Sequence, residues 1–229
     1  MAGGRQNLVR MAAILLAVLL GIYAVWSYAA GWVPSRDEFA TQGIVISDAS
    51  GKANWEQLRN TGVDFAYMRA TAGTDERDET FSANWAAAKD AGVRFGAVQE
   101  FDTCRLAKDQ GTLFITTVPR NANALPPAIR LNFSDTCKSK LNRSALISEL
   151  ATIINQITTH TGSPPLLSLS KAFENEYQLS KAFPEIQLWV EGTYFLPEYT
   201  ARPWVMWTAN TEREIDGIEN PVGWVVVRN

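Results

Sequence analysis

Apolar and polar positions follow two different patterns on either side of residue 33. From Met11 to Val33, 23 successive residues carry no charge. At about 1.5 Å per helical residue, that run crosses a hydrocarbon core of about 30 Å. Beyond residue 42 the pattern changes to short apolar runs alternating with amphipathic ones. Residues 43–47 (GIVIS), 63–71 (VDFAYMRAT), 93–101 (VRFGAVQEF) and 164–170 (PPLLSLS) read as strands, as do 187–194, 203–209 and 223–229. Between them, residues 54–62, 78–92, 104–118 and 144–161 read as helices, and 171–183 as a helix or helix-like turn. Asn54 is placed to cap the first of these, and Gly62 and Gly92 fall where helices end. Leu146, Leu150, Ile153, Ile154 and Ile157 form one stripe of the 144–161 helix. Strands alternating with helices predict an α/β domain with a largely parallel sheet, open or closed as a barrel.

The pattern divides the chain into a short N-terminus (1–10), a membrane-spanning segment (11–33), a polar linker (34–42) and one domain (43–229). Arg5 and Arg10 precede the apolar run and no acid does, which keeps the N-terminus cytoplasmic and sends the domain across. Tyr23, Trp26, Tyr28 and Trp32 crowd the far end, where aromatic rings favour the interface. The expectation is a single-pass signal-anchor in the inner (cytoplasmic) membrane with the C-terminal domain outside the cytoplasm. A cleaved signal peptide ending near Ser27-Tyr28-Ala29 is the competing reading. In either case the domain is exported, and Cys104 and Cys137 are expected to form a disulfide there.

Composition narrows the chemistry. The net charge is −3 and charged residues are 20% of the chain, so no basic surface for nucleic acid is expected. A single histidine, His160, and two cysteines leave too few ligands for a zinc site, and no metal is expected. No glycine-rich phosphate loop is present, so no nucleotide cofactor is expected. His160 sits at the polar end of a helix, where solvation near a helix C-terminus explains it better than a triad does. The stretch ALPPAIRLNF (124–133) raises a sharper question. Its alternation puts Arg130 and Asn132 on one face of a strand.

The order of segments resembles the glycoside hydrolase family 25 lysozymes, the Chalaropsis-type muramidases. The resemblance covers about residues 43 to 229. It rests on GIVISDASGKANW, DFAYMRATAGTDERDETFSANWAAAKDAGVRFGAVQEF, ALPPAIRLNF, PPLLSLS, LWVEGTY and PWVMWTANTEREIDGIENPVGW in that order. DTCRLAKDQGTLFITTVPRNANALPP and NFSDTC resemble one bacterial branch. The resemblance implies an irregular TIM-like β/α barrel with its site at the C-terminal strand ends. It also implies cleavage of the β-1,4 bond after N-acetylmuramic acid in peptidoglycan. That chemistry needs a carboxyl proton donor and an anionic partner.

The residues depart from the family where that chemistry sits. Val45 stands for an aspartate of the opening strand. Arg130 and Asn132 stand for the Asp-x-Glu of the acidic strand, and Gly223 for a further aspartate. Ala72 replaces a loop glutamate and Gln99 a histidine. An amide cannot protonate a leaving group, and a guanidinium is neither acid nor base near neutrality. The preferred expectation is therefore a silent relative, a pseudoenzyme that binds peptidoglycan glycan or an envelope protein. Arg69, Gln99, Arg130, Asn132, Trp189 and Trp207 are its candidate ligand contacts. Two alternatives stay open. An active muramidase would use relocated carboxylates, with Glu100 and Asp48 the first substitutes and Asp102, Asp135 and Glu191 nearby. A purely structural protein would have its cleft filled, with Arg130 paired to Glu100, Asp102 or Asp135.

Overall fold

The computed structural model describes residues 2–134, 137 and 141–228. It forms two compact units, Met1–Trp32 and Val33–Asn229. The first is helix α1 (Ala2–Gly31). Its segment Arg10–Gly31 is long and apolar enough to cross a membrane.

The second unit is a barrel. Its strands are β1 (Gln42–Ile46), β2 (Phe65–Ala72), β3 (Glu76–Arg77), β4 (Arg94–Glu100), β5 (Ala128–Leu131), β6 (Leu166–Leu169), β7 (Leu188–Glu191), β8 (Met206–Arg213) and β9 (Val222–Val227). Its helices are α2 (Trp55–Asn60), α3 (Phe81–Asp90), α4 (Ala107–Thr117), α5 (Arg143–Thr161), α6 (Lys171–Tyr177) and α7 (Leu179–Ala182). The strands run in the order β1-β9-β8-β7-β6-β5-β4-β2, and β1 pairs with β2 to close the ring. The pairs from β2 round to β8 are parallel, as is the closing pair. The hairpin β8–β9 and the pair β1–β9 are antiparallel, which makes the barrel irregular. Among the described strands, the sequence pattern misses only β3, a two-residue edge on β2. Too short to alternate, it is held there by its tertiary partners.

Local signals behave as their chemistry requires. Asn54 Oδ1 accepts from Gln57 N at 3.1 Å, and Asn142 Oδ1 caps α5 through Ala145 N at 2.9 Å. Gly162 closes α5 at φ 80°, a backbone shape that favours glycine. The apolar stripe of α5 is buried as its spacing predicts. His160 Nε2 lies 2.8 Å from Val118 O, and its Nδ1 faces Arg120 Nε at 3.4 Å, so its role is structural.

Residues 34–42, expected as a linker, belong to the barrel unit. Phe39 is buried edge-on against Trp207 at 5.8 Å. Arg36 pairs with Asp64 at 2.9 Å. Gln42 Nε2 donates to Pro34 O and Phe39 O, and Gln42 Oε1 accepts from Trp224 Nε1 at 2.8 Å. A single aromatic in a polar segment, together with these bonds, straps it to the barrel beside the N-terminal ends of β1 and β2.

Side-chain parity organises the interior. Phe65, Tyr67, Val98, Ala128, Leu166, Trp189, Met206 and Val225 fill the middle of the barrel. Gly96 allows the close approach there, because a Cβ at that position would meet the Tyr67 ring at 2.6 Å. Two residues further along each strand, the same inward face carries the next layer. That layer holds Arg69, Glu100, Arg130, Ser168, Glu191 and Thr208.

Candidate functional site

The inward layer above the apolar core is charged and self-paired. Arg130 Nη1 meets Glu100 Oε1 at 3.2 Å, and Arg130 Nε faces Glu191 Oε1 at 3.6 Å. The guanidinium thus lies between two carboxylates from neighbouring parts of the ring, 6.0 Å above the Trp189 ring. Arg69 gathers four more contacts: Asp48 at 2.7 Å, Glu76 at 2.9 Å, Asp78 at 3.2 Å and Glu100 at 3.9 Å. Burial pulls the Arg69 pKa down, but Glu100, Asp48, Asp78 and Glu76 together reverse that and raise it. Strands β2, β4, β5 and β7 therefore present plus, minus, plus and minus. Such an arrangement satisfies charges that the barrel would otherwise strand away from water.

The neighbours hold this layer in place. Asp78, whose side chain is fully buried, accepts from Asp48 N at 2.8 Å and from the Thr80 backbone at 2.9 Å. Ser168 Oγ reaches Glu191 Oε1 at 3.4 Å. The Tyr199 hydroxyl accepts from Glu191 N at 2.7 Å and lies 2.5 Å from Leu169 O. Burial pushes the Tyr199 phenol well up, so it stays a neutral pin at working pH.

Two grooves open over the layer, and both are lined by Glu100, Arg130 and Asn132. One, of about 450 Å³, runs along residues 72–76, 100–102 and 132–134. The other, of about 320 Å³, runs along 45–50, 208–211 and 221–223 and takes in Glu191. The Arg130–Glu100 pair is thus the shared floor of a cleft that is open on both sides. Asn132 Oδ1 faces no solvent and has no hydrogen-bond donor among the described residues.

A family model described as glycosyl hydrolases family 25 matches residues 44–218. The chain belongs to that family. A relative named YegX, from Escherichia coli K12, is 25% identical over 194 residues, covering 82% of this chain and 70% of the relative. Lysozyme M1 of Streptomyces globisporus is 43% identical over 61 residues, 27% of this chain and 21% of that one. Among solved structures, a family 25 glycosyl hydrolase from Bacillus anthracis superposes with a TM-score of 0.78 at 24% identity, covering 85% of this chain and 91% of that one. A bacterial lysozyme from Streptomyces coelicolor gives 0.74 at 20% identity, with 82% and 92% covered. These likenesses carry the fold.

Within that fold the sequence candidates separate. Arg130 and Asn132 come together in the cleft, along with Glu100 and Glu191. Gln99, Trp189 and Trp207 do not face it, and their assignment as ligand contacts is corrected. Gln99 is buried, bonded to Thr71 Oγ1 and to the Glu100 carbonyl at 2.7 Å. Trp189 lies beneath the charged layer against Tyr67, its Nε1 on Thr208 Oγ1 at 2.7 Å. Trp207 has the opposite parity and points outward to Phe39 and Trp204. Arg69 reaches the layer, but acids occupy its guanidinium. Asp48 pairs with Arg69, and Asp102 lies 3.8 Å from Arg105 and accepts from Cys104 N, so neither meets Arg130 by an ion pair. Asp135 falls outside the described residues.

Val45 and Gly223 are cross-strand partners at the cleft edge. A Cβ on residue 223 would lie 2.4 Å from Val45 Cγ1, so the valine occupies the space that glycine leaves. Cys104 and Cys137 form the expected disulfide, with Cα atoms 5.7 Å apart. It ties the segment after β4 to the segment after β5, both of which border the larger groove. Asp102 lies within 4.8 Å of both sulfurs, which are already bonded to each other. Sequence reasoning missed Glu76, Asp78, Ser168 and Thr208. Ser168 and Thr208 were findable by counting two residues on from the core positions Leu166 and Met206.

Proposed function

We propose that this protein is a membrane-anchored, non-hydrolytic member of family 25 that binds peptidoglycan glycan outside the cytoplasm through its barrel cleft. One observation carries the reading. The strand position that resemblance assigns to the acidic pair instead places a guanidinium between Glu100 and Glu191. Both surviving carboxylates are engaged by a cation that has no proton to give near neutrality. Asn132 has hydrogen-bonding capacity but no titratable proton. Val45 and Gly223 contribute no charge at the opposite edge. Glycoside hydrolysis needs one free acid and one free anion flanking the bond, and this floor supplies neither. The open grooves weigh against a filled, purely structural cleft. The apolar helix Arg10–Gly31 supports membrane anchoring, and Arg10 at its head supports an outward-facing barrel.

The active alternative keeps one observation in its favour: Glu100 and Glu191 face each other across a single point. The two readings part in one assay. Full-length protein in nanodiscs is incubated with purified peptidoglycan from pH 4 to 8, and new reducing ends are counted beside an active family member. No release together with retention on pelleted peptidoglycan is the expected result. Release abolished by Glu100→Gln overturns it.

A further inference from the structure

Beyond residue 33, the large apolar side chains left exposed lie at one end of the barrel. Among the described residues these are Leu106, Phe133, Tyr194, Phe195 and Leu196, and all follow the C-terminal ends of β4, β5 or β7. Three of them share the loop after β7. Phe195 is 81% exposed and Leu196 44%. The loop is not free to bury them. Trp207 Nε1 donates to Gly192 O at 2.6 Å, and Trp204 Nε1 donates to Pro197 O at 3.1 Å, so both ends are pinned. Between the pins, Tyr194 N donates to Ala209 O at 2.9 Å, and Tyr194 is held at φ 68°, a shape that side chains rarely adopt. Such a conformation persists only where its surroundings impose it, and here it holds an apolar tip in water.

A pocket of about 570 Å³ lies between this loop and α6. Phe195 and Leu196 form its apolar side. Lys171 and Asn175, one turn apart on the same face of α6, form its polar side. The Lys171 ammonium has no ion pair or hydrogen bond among the described residues, whereas Arg69 and Arg130 in the cleft are paired. The pocket adjoins the cleft, because Glu191 lines the smaller groove and the next residue, Gly192, lines the pocket.

Apolar surface beside a free cation selects its ligand. A neutral glycan offers nothing to the ammonium. A short peptide with methyl side chains and free carboxylates suits both sides: methyls on Phe195 and Leu196, a carboxylate on Lys171, a peptide group on the Asn175 amide. Glu198, also in the lining, suits the amine of a diamino acid. Peptidoglycan carries such a peptide on its glycan, and a glycan in the cleft would hold it beside the pocket. Building on the glycan-binding reading, we propose that the pocket between α6 and the loop after β7 is a subsite for the carboxylate-bearing stem peptide of peptidoglycan. Its volume is within the range of small-ligand sites, about 300–1,000 Å³.

The test uses full-length protein in nanodiscs and calorimetric titration at neutral pH. The probes are a peptidoglycan disaccharide bearing its tetrapeptide, the same disaccharide without the peptide, and the peptide form with its carboxylates amidated. The peptide form is expected to bind about 10-fold tighter than the bare disaccharide. Amidation is expected to remove about 3-fold of that, with the loss shrinking as salt rises. Lys171→Met is expected to weaken the carboxylate form about 3-fold and to have no further effect on the amidated one. Phe195→Ser, at an exposed tip, is expected to weaken both peptide forms about 3-fold. Equal affinity for the disaccharide with and without its peptide overturns the proposal. So does a peptide advantage that both substitutions leave intact, because the peptide then lies elsewhere. The bare disaccharide separates the two readings. Its binding without a peptide advantage removes this inference and leaves the glycan-binding reading standing. No binding of any probe removes both.

Discussion

Gly223→Ala offers a direct test of how the cleft edge is packed. The added Cβ would sit 2.4 Å from Val45 Cγ1, where carbon atoms in contact prefer about 3.5–4.0 Å. The backbone has little freedom to relieve this. Val45↔Gly223 lies in a ladder beside Ile44↔Trp224 and Gly43↔Val225, and Val45 also pairs with Tyr67 on the other side. Overpacking of this kind costs about 1–3 kcal/mol. Val45→Ala alone removes two partly buried methyl groups, a loss of about 1 kcal/mol. The double substitution removes the clash, and a strand alanine restricts the unfolded chain more than glycine does, gaining about 0.4–1 kcal/mol. The double variant should then lie within about 1 kcal/mol of the parent, although the single costs, with the same alanine gain counted for Gly223→Ala, sum to about 1–3.6 kcal/mol. Urea unfolding of residues 33–229, followed by tryptophan fluorescence, measures all four corners of the cycle. Additivity within about 0.5 kcal/mol would refute the reasoning, since sites that do not touch behave that way. The same geometry implies that a carboxylate cannot return to position 223 while Val45 stays.

Three further outcomes follow from the site. Asn132→Glu alone should release no reducing ends from peptidoglycan, because the restored acid still lacks a free anionic partner beside Arg130; measurable turnover in that variant would contradict the assignment. Arg69→Met should cost about 3 kcal/mol in urea unfolding, since it leaves the fully buried Asp78 and its neighbours without their cation. Replacing Cys104 and Cys137 by serine opens a 33-residue loop and should cost about 4 kcal/mol in the same experiment, with faster proteolysis at the segment after β5. A change below about 1 kcal/mol would show that the loop is held by other contacts.

Most of the fold was legible one segment at a time. The strands and helices fall where alternation and capping residues put them, because those signals act over a few residues. The α5 stripe and the cap at Asn54 needed nothing distant. The 34–42 strap was missed because its structure depends on Phe39 meeting Trp207, a contact far apart along the chain. The site was half legible. Parity put Arg130 and Asn132 on one face, and resemblance flagged Val45 and Gly223. Parity also separates Trp189 from Trp207, but it could not say which layer of the barrel each occupies.

What the sequence by itself determined is the apolar helix, the alternation of elements, the pair of cysteines and the absence of carboxylates at four named positions. Each of these is a local or compositional fact. Only the tertiary structure decided that Arg130 sits between Glu100 and Glu191, that Arg69 is consumed by its own acids, and that the cleft stays open above them. The reason is closure. Bending strands into a ring brings side chains from β2, β4, β5 and β7 within ion-pair distance, and no periodicity along the chain encodes which of them meet.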